Sequence, residues 1–176
     1  VVNNADSPPF ATLVQVDPKT GKLTVGPRIT LAEATNGAEQ PVWDPRTHRF
    51  YLSIPEVNGP GGTGPDGAVA RINPHTAAVE TLFPVKFCQP AGLTLGPRQD
   101  LLLGCSVPFD TAGNAWTAAD PITAAPISVI MDARNGKIDR NVPGVSGSDE
   151  VWFNPGDGHY YLAARANPGG PVLGVI

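Results

Sequence analysis

The chain has 176 residues, a mass of 18.3 kDa and a formal charge of −4. Its eight arginines and four lysines form no basic cluster, which points away from nucleic acid, and no run of about 18 apolar residues is present to span a membrane. Glycine and proline at 20 each, against 16% charged residues, indicate a turn-rich chain with one core, not a helical bundle or a disordered tail.

The opening segment VVNNADSPPF lacks the basic start and apolar stretch of a signal peptide, so an export signal, if the protein has one, belongs outside this sequence. Val1 and Val2 read as the end of a strand. Residues 11–25 (ATLVQVDPKTGKLTV) then run strand, turn, strand, and 41–54 (PVWDPRTHRFYLSI) repeat the theme with a different turn. The first pattern returns at 68–82 and 127–141, and the second at 92–105 and 151–164. Asp17, Asn73 and Asp132 open the turns of the first pattern at intervals of 56 and 59 residues. Asp and Asn suit that position because their side chains hydrogen-bond the backbone two residues on.

Two hairpins per period make four strands per repeat. This is the signature of an all-β fold, a β-propeller blade with enlarged loops. With strands named A to D outward from the axis, residues 1–30 supply B, C and D of a partial blade. Residues 41–85 and 90–143 are complete blades, and 150–176 supply A, B and the start of C. About three blades' worth of strands is present, whereas propellers close with about four to eight. A fragment of a six- or seven-bladed propeller is therefore expected, with the ring completed by remaining blades of the same protein or by self-association.

Alternating turns place A–B and C–D connections on one rim, and B–C and D–A connections on the other. The long loops 55–67, 106–126 and 165–170 are all of the B–C kind, and loops longer than the topology needs are often functional. His48, His75 and His159 fall in the short turns of the opposite rim. No histidine base is therefore expected near the loops for a nucleophilic hydrolase, nor a histidine-rich zinc site. Carboxylates do fall at the starts of A strands: Glu39 before one, Asp149 and Glu150 before another. Converging oxygens suit a divalent cation, while each carboxylate could equally form a turn or pair with Arg28 or Arg165.

Cys88 precedes one A strand and Cys105 ends the B strand of the same blade, so the two approach across the sheet. A bridge would close a loop of about 17 residues, worth roughly 3 kcal/mol, and would indicate a periplasmic or secreted setting. Two buried thiols are the alternative.

The segment AEQPVWDPRTHRFYLSI resembles the opening motif of the gluconolactonase, senescence-marker-protein and strictosidine-synthase-like six-bladed propellers. CQPAGLTLGPRQDLLLGC and SDEVWFNPGDGHYYLAA resemble two further innermost strands of that superfamily. NHL and YVTN propellers share the turns more generically. The resemblance implies one divalent metal (Ca²⁺, Mg²⁺ or Zn²⁺) above the channel, held by Glu39, Asp149 and a third residue. Alanine (Ala91) stands at the third position, where the superfamily has asparagine.

Two functions follow as expectations. One is metal-dependent hydrolysis of a lactone or similar ester, with Glu39 and Asp149 as metal ligands and Glu150 as the catalytic base. The other is a propeller without catalysis that binds a small molecule or a protein through its loops. Asn58, Phe109, Asp110, Asn114, Trp116, Arg165 and Asn167 would form that binding surface, with Val57, Pro60 and Pro121 beside them.

Overall fold

The computed structural model describes residues 2–3, 6–120 and 124–176; Val1 and Pro121, named above, fall outside them. The described residues form an all-β chain of fourteen strands in four antiparallel sheets. The first sheet contains β1 (Val2–Asn3), β2 (Phe10–Val16) and β3 (Leu23–Thr30). The second contains β4 (Pro41–Asp44), β5 (Arg49–Ile54), β6 (Asp66–Asn73) and β7 (Ala78–Lys86). The third contains β8 (Pro90–Leu95), β9 (Asp100–Cys105), β10 (Ile127–Asp132) and β11 (Ile138–Pro143). The fourth contains β12 (Ser148–Asn154), β13 (His159–Ala164) and β14 (Val172–Val175). Within each sheet the strands lie in chain order, so every connection is a hairpin or a loop between neighbours.

Short polar side chains set most of the tight turns. Asp17 Oδ1 accepts the Lys19 amide at 2.8 Å, Asp44 Oδ1 that of Arg46 at 2.9 Å, and Asn73 Oδ1 that of His75 at 2.9 Å. Asp132 Oδ1 accepts from the Arg134 amide at 2.8 Å and Asn154 Oδ1 from that of Gly156 at 3.0 Å. The Asx turn thus recurs in both kinds of hairpin. The β8–β9 turn departs from it: Pro97–Gln99 form a 3₁₀ turn in which Arg98 and Gln99 adopt positive φ.

The sheets stack in chain order, and alternation decides which neighbour each residue meets. Leu101 and Leu103 of β9 pack towards the second sheet with Tyr51, Val69 and Met131. Leu102 between them packs towards the fourth with Val151 and Leu162. In the same way Leu52 and Ile54 of β5 face the first sheet, meeting Ala11 and Ile29. Both four-stranded sheets are therefore covered on two faces, which is why β9 reads as an unbroken apolar run (Leu101–Leu103) and not as alternation.

The stack is also pinned by polar contacts at the short-turn end. Gln99 Nε2 donates to Asp44 Oδ2 at 2.8 Å, from the third sheet to the second. Cys88 and Cys105, both fully buried, form a disulfide that ties the β7–β8 connection to the end of β9.

Candidate functional site

The connections β5–β6, β9–β10 and β13–β14 leave the sheets at the end opposite the Asx turns, because successive antiparallel strands return the chain to alternate ends. A cleft of about 640 Å³ opens there between residues 106–120 and 165–171. Its lining includes Trp116, Thr117, Asp120, Arg165 and Asn167.

Both walls are held by hydrogen bonds. In the first, the Trp116 amide donates to the Pro108 carbonyl at 2.9 Å. Asp120 Oδ2 accepts from the amide and the hydroxyl of Thr117, each at 2.9 Å. In the second, Asn167 Oδ1 accepts the Ser146 amide at 3.1 Å while its Nδ2 donates to the Pro168 carbonyl at 3.0 Å. Arg165 is largely exposed, and its Nε donates to Asp149 Oδ2 at 2.5 Å. The cleft thus combines an aromatic side chain with a guanidinium, an amide and a carboxylate.

The seven loop residues singled out from the sequence have different fates. Trp116, Arg165 and Asn167 come together in the cleft. Phe109 is 2% exposed and anchors its loop from beneath, with its carbonyl accepting the Ala125 amide. Asp110 and Asn114 close the loop tip on each other: Asp110 Oδ1 accepts the Ala112 and Asn114 amides at 2.8 Å, and its Oδ2 accepts Asn114 Nδ2 at 3.0 Å. Led by the bond from the Asn114 side chain, these hold the Asp110 carboxyl below its ordinary value. Asn58 belongs to the β5–β6 loop, where it adopts positive φ and its amide donates to the Glu33 carbonyl.

Of the acidic residues at the strand starts, Glu150 is met by a glutamine from the second sheet's edge. Gln40 donates its amide to the Ala91 carbonyl at 3.2 Å, its Oε1 accepts the Leu93 amide at 2.8 Å, and its Nε2 lies 3.4 Å from Glu150 Oε2. One side chain therefore spans the second, third and fourth sheets. The Glu39 amide donates to the Ser53 carbonyl. Of the expected metal ligands, Asp149 is paired with Arg165, and Ala91 offers no side-chain ligand atom, only a carbonyl that already accepts the Gln40 amide. Among the described residues no three His, Cys, Asp or Glu side chains lie together as metal ligands.

The residue that sequence reasoning missed is Glu56. It is fully buried at the start of the β5–β6 loop, and its carboxylate accepts from Thr35 Oγ1 at 2.7 Å and from the amides of Gly61, Gly62 and Gly64. Burial opposes its ionisation, but these donors together outweigh burial and hold the carboxyl below its ordinary value. Gln89, 1% exposed, completes the loop by donating to the carbonyls of Gly62 and Gly64. The only sequence signal was a lone acid followed by a glycine-rich stretch. A Cβ on Gly59 or Gly64 would lie within 3 Å of the Glu56 side chain, so the glycines make room for the acid.

No family model matches the chain, and no curated protein is significantly similar to it.

Proposed function

We propose that this chain is part of a β-propeller that binds a small polar ligand in the cleft between residues 106–120 and 165–171, in an extracellular or periplasmic setting. Four antiparallel sheets stacked in chain order are the arrangement that radial repetition builds, which supports the propeller. The Cys88–Cys105 disulfide is compatible with an oxidising compartment.

The observation that carries the binding reading is the cleft itself, whose lining brings the aromatic residue Trp116 together with Asp120, Arg165 and Asn167. Convergent polar groups around an aromatic wall are the usual make-up of a small-molecule site. A sugar or sugar lactone, with an apolar ring face edged by hydroxyls, has the complementary chemistry. Hydrolysis draws less support, since Asp149 is engaged by Arg165 and Glu150 by Gln40.

Glucono-δ-lactone and glucose serve as probes, followed by tryptophan fluorescence and by proton release in the same sample. Binding without turnover predicts a saturable fluorescence change that Trp116→Ala removes, with proton release at the buffer rate. Proton release above that rate, lost in Glu150→Gln, would overturn the reading in favour of a hydrolase.

A further inference from the structure

Both walls of the cleft are fastened at Cys105. Ser106, which opens the first wall, follows Cys105 directly and donates its amide and its hydroxyl to the Gln89 carbonyl, at 2.9 and 3.0 Å. The second wall reaches the same residue through the linker that precedes β12. The Cys105 carbonyl accepts the Gly147 amide at 2.7 Å and the Ser146 hydroxyl at 3.3 Å. These two residues in turn hold the cleft lining. The Gly147 carbonyl accepts the Ala166 amide at 3.2 Å, and the Ser146 amide donates to Asn167 Oδ1 at 3.1 Å.

Backbone pairing alone does not fix Cys105. The ladder between β9 and β10 runs from Asp100 to Leu103, and Cys105 lies past it. On its other side Cys105 pairs with Pro90, which has no N–H to donate, next to a shift in register between Pro90 and Gly92. The covalent bond to Cys88 stands where ladder hydrogen bonds would otherwise be. Gln89, beside Cys88, carries the tie onward, because its Nε2 donates to the Gly62 and Gly64 carbonyls of the β5–β6 loop.

We propose that the Cys88–Cys105 disulfide assembles the cleft, so that the binding site exists in the oxidised chain and not in the reduced one; its bearing on ligand rests on the cleft-binding reading above. Bridge formation is a two-electron step. The two thiols lose two protons and two electrons and become the disulfide, while a small-molecule disulfide such as oxidised glutathione takes up both and leaves as two thiols. Both sulfurs are fully buried in the folded chain, so the exchange takes place while the chain folds. Stacking of the third sheet on the fourth is independent of the bridge, since Leu102, Val151 and Leu162 join the two in a cluster that neither cysteine enters. Reduction therefore loosens the cleft and leaves the sheets in place.

The test compares the oxidised chain with the same chain refolded and kept in dithiothreitol, and with the Cys88→Ala, Cys105→Ala double variant. Amide hydrogen exchange is read beside glucose and glucono-δ-lactone affinity from tryptophan fluorescence. In the oxidised chain the Ser106 and Gly147 amides should be as protected as that of Leu102. Without the bridge, and with circular dichroism retained, they and the Ala166 amide should lose protection by more than about tenfold relative to Leu102. Probe affinity should fall with them. Ser106 and Gly147 amides that stay as protected as Leu102 without the bridge, or an unchanged probe affinity, overturn the proposal. So does poor protection of those amides in the oxidised chain. Loss of circular dichroism on reduction also overturns it, because the bridge would then hold the whole stack and not the cleft. An oxidised chain that binds neither probe overturns the binding reading alone, and hydrogen exchange still decides whether the bridge assembles the cleft.

Discussion

The Tyr51 hydroxyl donates a hydrogen bond of 2.7 Å to the carbonyl of Ala133, reaching from the second sheet into the β10–β11 turn of the third. Both residues are fully buried. Removing the hydroxyl leaves that carbonyl without its partner in a place water does not reach. Tyr51→Phe is expected to cost about 1–3 kcal/mol, read as a lower urea midpoint with unchanged slope. An unchanged midpoint would mean that the turn relaxes to pair the carbonyl elsewhere.

Glu56 is the organising charge of the β5–β6 loop. Glu56→Gln keeps the shape but replaces an acceptor-only carboxylate with an amide whose NH₂ faces backbone donors. A loss of about 2–3 kcal/mol is expected, on the scale of hydrogen bonds to charged groups. Hydrogen exchange at the amides of Gly61, Gly62 and Gly64 should accelerate, while β9 stays protected.

Acid should unfold the chain through the same groups. Glu56, Asp44 and Asp132 all hold their carboxyls below ordinary values. In Glu56 and Asp44 burial is outweighed by several donors, Gln99 leading at Asp44; at Asp132 the Arg134 side chain is the main cause. A depressed native value contributes stability that is present above the unfolded value of about 4 and is lost as pH falls through the native one. Thermal midpoints should therefore be level above about pH 5 and fall below about pH 4. Glu56→Gln should flatten that fall.

The disulfide closes a separation of 17 residues inside the largest of the three apolar clusters. Cys88→Ser with Cys105→Ser is expected to cost about 3 kcal/mol, measured by chemical denaturation. Intact mass should rise by two hydrogens per chain on reduction under denaturing conditions, and not in the native protein, where both sulfurs are buried.

Gly147 connects the third sheet to the cleft. Its amide donates to the Cys105 carbonyl, and its carbonyl accepts the Ala166 amide, at a φ of +72°. A Cβ there would stand 2.2 Å from the Ala166 carbonyl carbon. Gly147→Ala is expected to cost more than about 1 kcal/mol and to displace Arg165 and Asn167. Probe binding in the cleft should weaken more than in a Gly144→Ala control, where φ is also positive but nothing lies within 4 Å.

The all-β architecture was legible because strand and turn signals are local. Asp17, Asn73 and Asp132 announce their turns with the residue that makes them, and the apolar runs around Tyr51, Leu102 and Tyr161 repeat at one register. The placement of the cysteines was legible for the same reason, since a hairpin fixes which residues lie opposite. Contacts between sheets were not. Nothing local marks Gln40 as the residue that bridges three sheets, or Arg165 as the partner of Asp149 over Arg28. Phe109 looked like a recognition residue because an aromatic in a glycine- and proline-rich loop gives no sign of whether it points in or out. Glu56 was missed because three of its four partners are backbone amides, which every residue has, and the fourth, Thr35, lies 21 residues away.

Three separate apolar clusters, each shared by one sheet and its neighbour, give this molecule a linear economy. Stability then approximates a sum over adjacent pairs, as it does in stacked-repeat proteins. A substitution at Leu102 weakens the third-to-fourth contact and leaves the first-to-second one intact. Under mild denaturant this chain should lose the first and fourth sheets before the second and third, which share the largest of the three clusters.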